Sequence, residues 1–204
     1  MTRRLAGSLA VLALVVVAGC SGASSSCVSS DNRHSNGLTK LVAAAKLAPC
    51  PASSTTAVSD GLPDVTLECL GKGPAVHLAG FKGPAVVNVW GSWCQPCQKE
   101  AGYLSSVYRS VRNKVMFLGI DTEDSSGSAL DFGTHVTPPV RYPSVVDPDR
   151  KVLIGLATAG LSAASGPPVT AFVGTGGRVV HVHPGEYHSA AALRADIATY
   201  LHVR

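Results

Sequence analysis

The chain has 204 residues, 46% of them hydrophobic and 15% charged, with a formal net charge of +4 and six cysteines. That composition supports one packed core and a short extra segment, and it argues against a disordered or fibrous chain. Arg3 and Arg4 near the start account for half of the net charge, and no basic block with interleaved aromatics follows, so nucleic acid is not an expected partner.

Residues 1–4 form a short basic region, and residues 5–18 are an apolar run shorter than the roughly 20 residues a bilayer span requires. The pattern predicts a signal peptide over residues 1–19. Its end, Val17-Ala18-Gly19-Cys20, is similar to a bacterial lipobox, which implies cleavage before Cys20, lipidation of its sulfur, and an extracytoplasmic protein tied to the outer face of the cell membrane. An uncleaved membrane anchor is the alternative. Residues 20–58 then read as a lipidated flexible tether: residues 21–36 are rich in Ser, Gly and Asn, and Leu38, Leu41, Val42, Ala45 and Leu47 predict a short helix ended by Pro49-Cys50-Pro51. A domain is expected from residue 59 to 204, with a bridge at Cys50 as the alternative that stitches the earlier helix onto it. Outside the cytosol disulfides persist, so Cys50 and Cys69 form a candidate structural pair, with Cys27 either a spare thiol or a rival partner for one of them.

Residues 64–67 and 75–78 are short strand candidates around Gly71-Lys72-Gly73-Pro74, which predicts a small hairpin. A buried strand follows over residues 85–90. It runs directly into Gly91-Ser92-Trp93-Cys94-Gln95-Pro96-Cys97-Gln98-Lys99-Glu100, and Cys97, Ala101, Leu104, Tyr108 and Val111 continue at helical spacing. Cys94 thus falls at a helix start, where unpaired N–H groups and the helix dipole favour a thiolate, the form that attacks disulfides. Pro96 suits the first turn, and Cys97 lies one turn deeper as a resolving thiol. A zinc site would need a second closely spaced ligand pair, and a purely structural bridge across one turn would close too small a loop to restrict the unfolded chain.

Residues 115–120 predict a second buried strand, parallel to the first because a helix separates them. A weak helix over residues 128–136, a short strand at 144–146 and a helix near 152–156 come next. Residues 169–173 and 179–183, joined by Gly174-Thr175-Gly176-Gly177, predict an antiparallel hairpin, and Ser189 caps a last helix with Leu193, Ile197 and Leu201 on one stripe. His181, His183 and His188 read as surface or core-edge histidines, since no cysteine or carboxylate spacing marks them as metal ligands.

This order, with Asn88-Val89-Trp90 to Glu100 and Pro168-Val169-Thr170-Ala171-Phe172-Val173 as its most specific parts, resembles the thioredoxin fold. Over residues 62–201 it looks like the membrane-tethered TlpA/ResA/DsbE group of thiol-disulfide oxidoreductases. The resemblance implies an α/β fold, a mixed sheet flanked by helices with an N-terminal β-hairpin extension. It implies that Cys94 attacks and Cys97 resolves, and that Pro168 is the cis-proline lying against the thiols, with Trp93, Pro96 and Pro167 along the substrate groove. Glu100 is expected to be buried, with a raised pKa, and to move protons for Cys97; the alternative is a solvated first-turn glutamate. Asn88 stands where thioredoxin proper carries a buried aspartate, and Gly102 departs from a proline common in the group.

The expected enzyme is a monomer without metal or cofactor that exchanges the Cys94–Cys97 disulfide with thiols or disulfides of exported proteins, served by a membrane redox donor or acceptor. The resemblance leans towards reduction of apocytochrome c thiols. Rival expectations are an oxidative disulfide-forming enzyme, a copper-binding chaperone using the two thiols and a histidine, and a peroxide-reducing enzyme, which the close cysteine spacing disfavours.

Overall fold

The structure is a computed structural model that describes residues 30–162 and 166–203; the side chains of residues 30–35 are not described. The leader, Cys20 and Cys27 lie outside the described residues.

Among the described residues, seven strands form two sheets. The main sheet has the order β5-β4-β3-β6-β7. At its centre, β3 (Ala85–Trp90) is buried at every position, as its β-branched run requires for a strand covered on both faces. It pairs in parallel with β4 (Met116–Thr122) and antiparallel with β6 (Val169–Val173). β5 (Ser144–Asp147) extends the parallel side, and β7 (Val179–Pro184) closes the other as an antiparallel edge. The expected parallel pair and C-terminal hairpin are both present.

Alternation along β3 divides the core. Val87 and Val89 face a cluster with Leu118, Ile120, Val169 and Ala171, covered by Val152 and Leu156 of α4 (Lys151–Thr158) and by Leu67 and Val76 of the hairpin β1 (Thr66–Leu67) and β2 (Val76–His77). Val86 faces the other side with Phe117 and Phe172. There it meets Leu104, Val107 and Tyr108 of α2 (Gln95–Val111) and Leu193, Ile197 and Leu201 of α5 (Ala190–Leu201). Ser189 caps α5 as expected, its hydroxyl accepting from Ala192 N at 3.1 Å.

Three boundaries differ from the sequence expectation. The first helix, α1 (Ser30–Ala45), starts inside the stretch expected to be a flexible tether. It is also docked: Ala45 is buried, Leu41 and Val42 pack beside Trp90, Ala129 and Leu130, and Arg141 Nη1 donates to the Ala45 carbonyl at 2.6 Å. Packing therefore begins well before residue 59, because the apolar stripe of α1 finds the side of α3 (Ser126–His135) to cover it. α3 itself starts earlier than residue 128, since the Ser125 hydroxyl accepts from Ser128 N at 3.1 Å and caps the turn before it. The hairpin strands are two residues each rather than four.

Cys50 and Cys69 are bonded, with Cα atoms 6.0 Å apart. Cys69 bridges to Val145 beside β5, and Leu70 N donates to the Ser144 carbonyl at 2.8 Å, so this disulfide staples the segment after α1 to the sheet edge. Gly73 makes the turn feasible. Its φ is +123°, and a Cβ there would lie 2.7 Å from Cys50 backbone atoms.

Candidate active site

The parallel strand β3 ends at Trp90, and the chain turns through Gly91, Ser92 and Trp93 into α2. Two hydrogen bonds tie that turn to β4 and the loop after it: Asp124 Oδ2 accepts from Ser92 N at 2.7 Å, and Trp93 Nε1 donates to the Thr122 carbonyl at 3.1 Å. Cys94 is the N-cap of α2, with Pro96 in the first turn, and the Cys97 N–H donates to Cys94 Sγ at 3.2 Å. That donor is one of the groups a helix start leaves unpaired, and it stabilises negative charge on the sulfur it faces. Cys94 and Cys97 are joined in a disulfide with Cα atoms 5.2 Å apart.

The loop before β6 lies opposite. The Pro167–Pro168 peptide is cis, and the Pro167 carbonyl oxygen is 3.5 Å from Cys94 Sγ. Pro168 is buried, Pro167 and Ser92 are half-buried, and Pro96 is exposed. Trp93, 50% exposed, provides a large apolar face beside sulfurs that are themselves almost wholly covered. Residue 167 has no N–H, so at this position the loop presents only an acceptor. The sequence-predicted residues Trp93, Cys94, Pro96, Cys97, Pro167 and Pro168 thus belong to one locality formed by two distant segments.

Glu100 is fully buried, as expected, and the solvated first-turn alternative is overturned. Its Oε1 accepts from Asn88 Nδ2 and its Oε2 from Tyr187 N, each at 2.9 Å, and Asn88 Nδ2 also reaches Thr170 Oγ1 at 3.1 Å. Burial pushes the Glu100 carboxyl up to about 7, against the opposing pull of those two hydrogen bonds; nearby Glu186 adds to the rise. A carboxyl group balanced near neutrality, one helical turn beyond Cys97 on the same face, can give or take a proton at working pH. Asn88 therefore has a role the sequence did not disclose: it orients Glu100. Its position on the same side of β3 as Val86 could have suggested it.

A second acid went unnoticed. Asp121, at the end of β4 opposite Trp90, is buried, and neither carboxyl oxygen has a hydrogen-bond partner among the described residues. Burial pushes it up to about 8, and the neighbouring Asp124 carboxylate adds to the rise. Asp121 thus sits beside the residue that holds the active-site turn. Gly102 also acquires a reason. A Cβ at this position of α2 would stand 2.7 Å from the Thr137 carbonyl oxygen, so the helix approaches the loop after α3 more closely than any side chain permits.

The β7 histidines were expected to lack a carboxylate, and here the structure differs: Asp196 of α5 comes within 3.7 Å of His183 Nδ1. The carboxylate lies 13 residues downstream of His183, which helix docking alone brings near.

A five-stranded mixed sheet with flanking helices, a cysteine pair at the first turn of the helix after the central strand, and a cis-proline loop facing it define the thioredoxin-like class. Within that class the chain belongs to the AhpC/TSA family, matched over residues 58–182. It is similar to the thiol-disulfide oxidoreductase ResA of Bacillus subtilis, 30% identical over 115 residues that cover 55% of this chain and 60% of that protein. It is also similar to the thiol:disulfide interchange protein DsbE homolog of Paracoccus denitrificans, 35% identical over 103 residues covering 50% of this chain and 51% of that one. These likenesses support the TlpA/ResA/DsbE group. The chain spans about three-fifths or less of the length of these two relatives. Among solved structures, MTB dsbF superposes with a TM-score of 0.57 at 26% identity, covering 71% of this chain and 99% of that one. The DsbF homologue from Corynebacterium diphtheriae gives 0.56 at 29%, covering 68% and 85%.

Proposed function

We propose that this protein is an extracytoplasmic thiol-disulfide oxidoreductase acting on cysteines of exported proteins. The observation that carries the reading is Cys94 Sγ receiving the Cys97 N–H at the start of α2 while facing the Pro167 carbonyl. In the reducing direction the Cys94 thiolate attacks one sulfur of a substrate disulfide, forming a mixed disulfide and releasing the other substrate sulfur as a thiolate. Cys97 then loses its proton and attacks Cys94 Sγ, which frees the second substrate sulfur and leaves Cys94–Cys97 oxidised. Two electrons pass to the substrate, and Glu100 accepts the Cys97 proton. A membrane redox donor must return the pair to dithiol for the next turnover. Trp93, Pro96, Pro167 and Pro168 form the surface the substrate chain lies on, and no resident metal or cofactor is required.

The protein is exported by residues 1–19 and held by acyl chains on Cys20, and its substrate is the disulfide formed by the haem-binding cysteines of apocytochrome c, which it returns to thiols, a reading supported by the ResA and DsbE likeness. A Cys97→Ser variant expressed in cells tests this, because Cys94 then captures partners without releasing them. Cytochrome precursors in the trapped complexes support the reductive reading, and assorted secreted proteins bearing disulfides replace it with the oxidative one. No trapped protein removes the enzyme reading. Release of a Cys20→Ala variant into the medium would establish the anchor, and unchanged membrane retention would rule it out.

A further inference from the structure

We infer that His181, His183 and Asp196 form a binding site for a divalent transition metal ion of the zinc type, which pins the C-terminal helix to the edge of the sheet. The ligating atoms of the three residues lie within 4.8 Å of one another. The geometry follows from two matched repeats. Two residues of a strand and four residues of a helix each advance by about 6 to 7 Å. His181 and His183 share one face of β7, and Asp196 and Tyr200 share one face of α5. Tyr200 stacks on His181 with ring centroids 3.8 Å apart, so Asp196, a turn earlier, comes opposite His183 at 3.7 Å. Strand and helix run antiparallel, and their side chains meet as rungs.

Each prospective ligand is held by a neighbour. Tyr187 Oη donates to Asp196 Oδ2 at 2.6 Å, while the Tyr187 ring stacks on His183 with centroids 4.1 Å apart. Partners of this kind fix ligand orientation and sharpen metal affinity. The site also has access to solvent: the His183 and Asp196 side chains are 31% and 27% exposed, so an ion can enter and keep water at its open position. Two imidazoles and one carboxylate suit zinc and its neighbours better than magnesium or calcium, which prefer oxygen. His188 takes no part, its Nδ1 lying 3.5 Å from Glu186 Oε1. The ion would bridge β7 and α5, two elements otherwise joined across this surface by ring stacking and apolar contacts.

The test uses the full chain without a histidine tag, both disulfides closed and the remaining thiols alkylated so that sulfur cannot bind metal. Zinc chloride is titrated by calorimetry, and thermal unfolding is followed with and without it. The expected result is one equivalent bound and a higher Tm, as for any ligand that binds only the folded state. His181→Gln and His183→Gln each weaken binding by about 10-fold to 100-fold and remove the Tm increase, and Tyr187→Phe, which deletes the hold on Asp196, weakens it by about 10-fold. His135→Gln, on α3, changes nothing. Circular dichroism verifies that each variant is folded, and cobalt chloride adds a visible absorption band if the ligands surround the ion. Absence of zinc binding by the folded wild-type chain overturns the proposal, as does binding that both β7 variants retain unchanged.

Discussion

The two disulfides are the same bond in two physical settings. Cys50–Cys69 closes a separation of 19 residues and ties the segment after α1 to the β5 edge, whereas Cys94–Cys97 closes a separation of three within one helical turn. A long closed loop restricts the unfolded chain, so the first contributes to stability. The second restricts it little, but its Cys94 sulfur has an N–H donor on one side and the cis-proline loop on the other. Loop length makes one bond a staple, and helix position gives the other the setting on which the proposed exchange depends.

The sharpest way to break this contrast is to remove one sulfur from each. Cys94→Ser should reduce dithiol exchange to the uncatalysed rate and leave thermal stability nearly unchanged; a variant that still exchanged would transfer the chemistry elsewhere. Replacing Cys50 and Cys69 together with serine should do the reverse. Exchange persists, while stability falls by about 3 kcal/mol, or about 10 °C in Tm for a domain of this size. Equal loss of activity in the two variants would end the division of labour.

The two buried acids sharpen the comparison on the reactive side, because two N–H donors hold Glu100 while Asp121 faces another acid, Asp124. A carboxyl whose folded pKa is raised holds a proton that the unfolded chain has already lost, so stability declines as pH rises between the two values. For Asp121 the window runs from 3.8 to about 8. For Glu100 it runs from 4.5 to about 7. Asp121→Asn keeps an N–H donor to offer Asp124 and should be more stable than wild type at pH 9, with little difference at pH 4, by urea unfolding. Glu100→Gln should flatten the lower window as well, but two N–H donors converge on that group and an amide can accept only one of them. It should therefore lose about 1 to 3 kcal/mol at pH 5 and also shift the pH profile of exchange. An unchanged profile would remove Glu100 from proton transfer. The smallest effect belongs to the packing beside the site: Gly102→Ala should cost about 1 to 3 kcal/mol, because the added methyl meets the backbone carbonyl of Thr137, while exchange is retained.

Much of this was legible in residue order. The apolar runs of β3, β4 and β6 announce strands buried on both faces, the Cys-x-x-Cys at a strand-to-helix junction announces its chemistry, and Gly174-Thr175-Gly176-Gly177 forces β6 and β7 into a hairpin. Such features are local, and backbone geometry with hydrophobic periodicity is enough to specify them. The surface that covers α1 was not legible, since a bridge at Cys50 suggests that the helix is stitched to the domain but not that it packs on α3.

The sequence by itself determined the thiol pair, the order of elements and the helix start at which Cys94 sits, because those depend on neighbours within a turn or two of chain. Tertiary structure alone decided that Pro167 faces that sulfur, that Asn88 and Tyr187 grip Glu100, that Asp121 is buried beside Asp124, and that Asp196 meets the β7 histidines. Each is a meeting of segments far apart in the chain, and its energetics come from burial and from donors that exist only once the sheet and helices have packed.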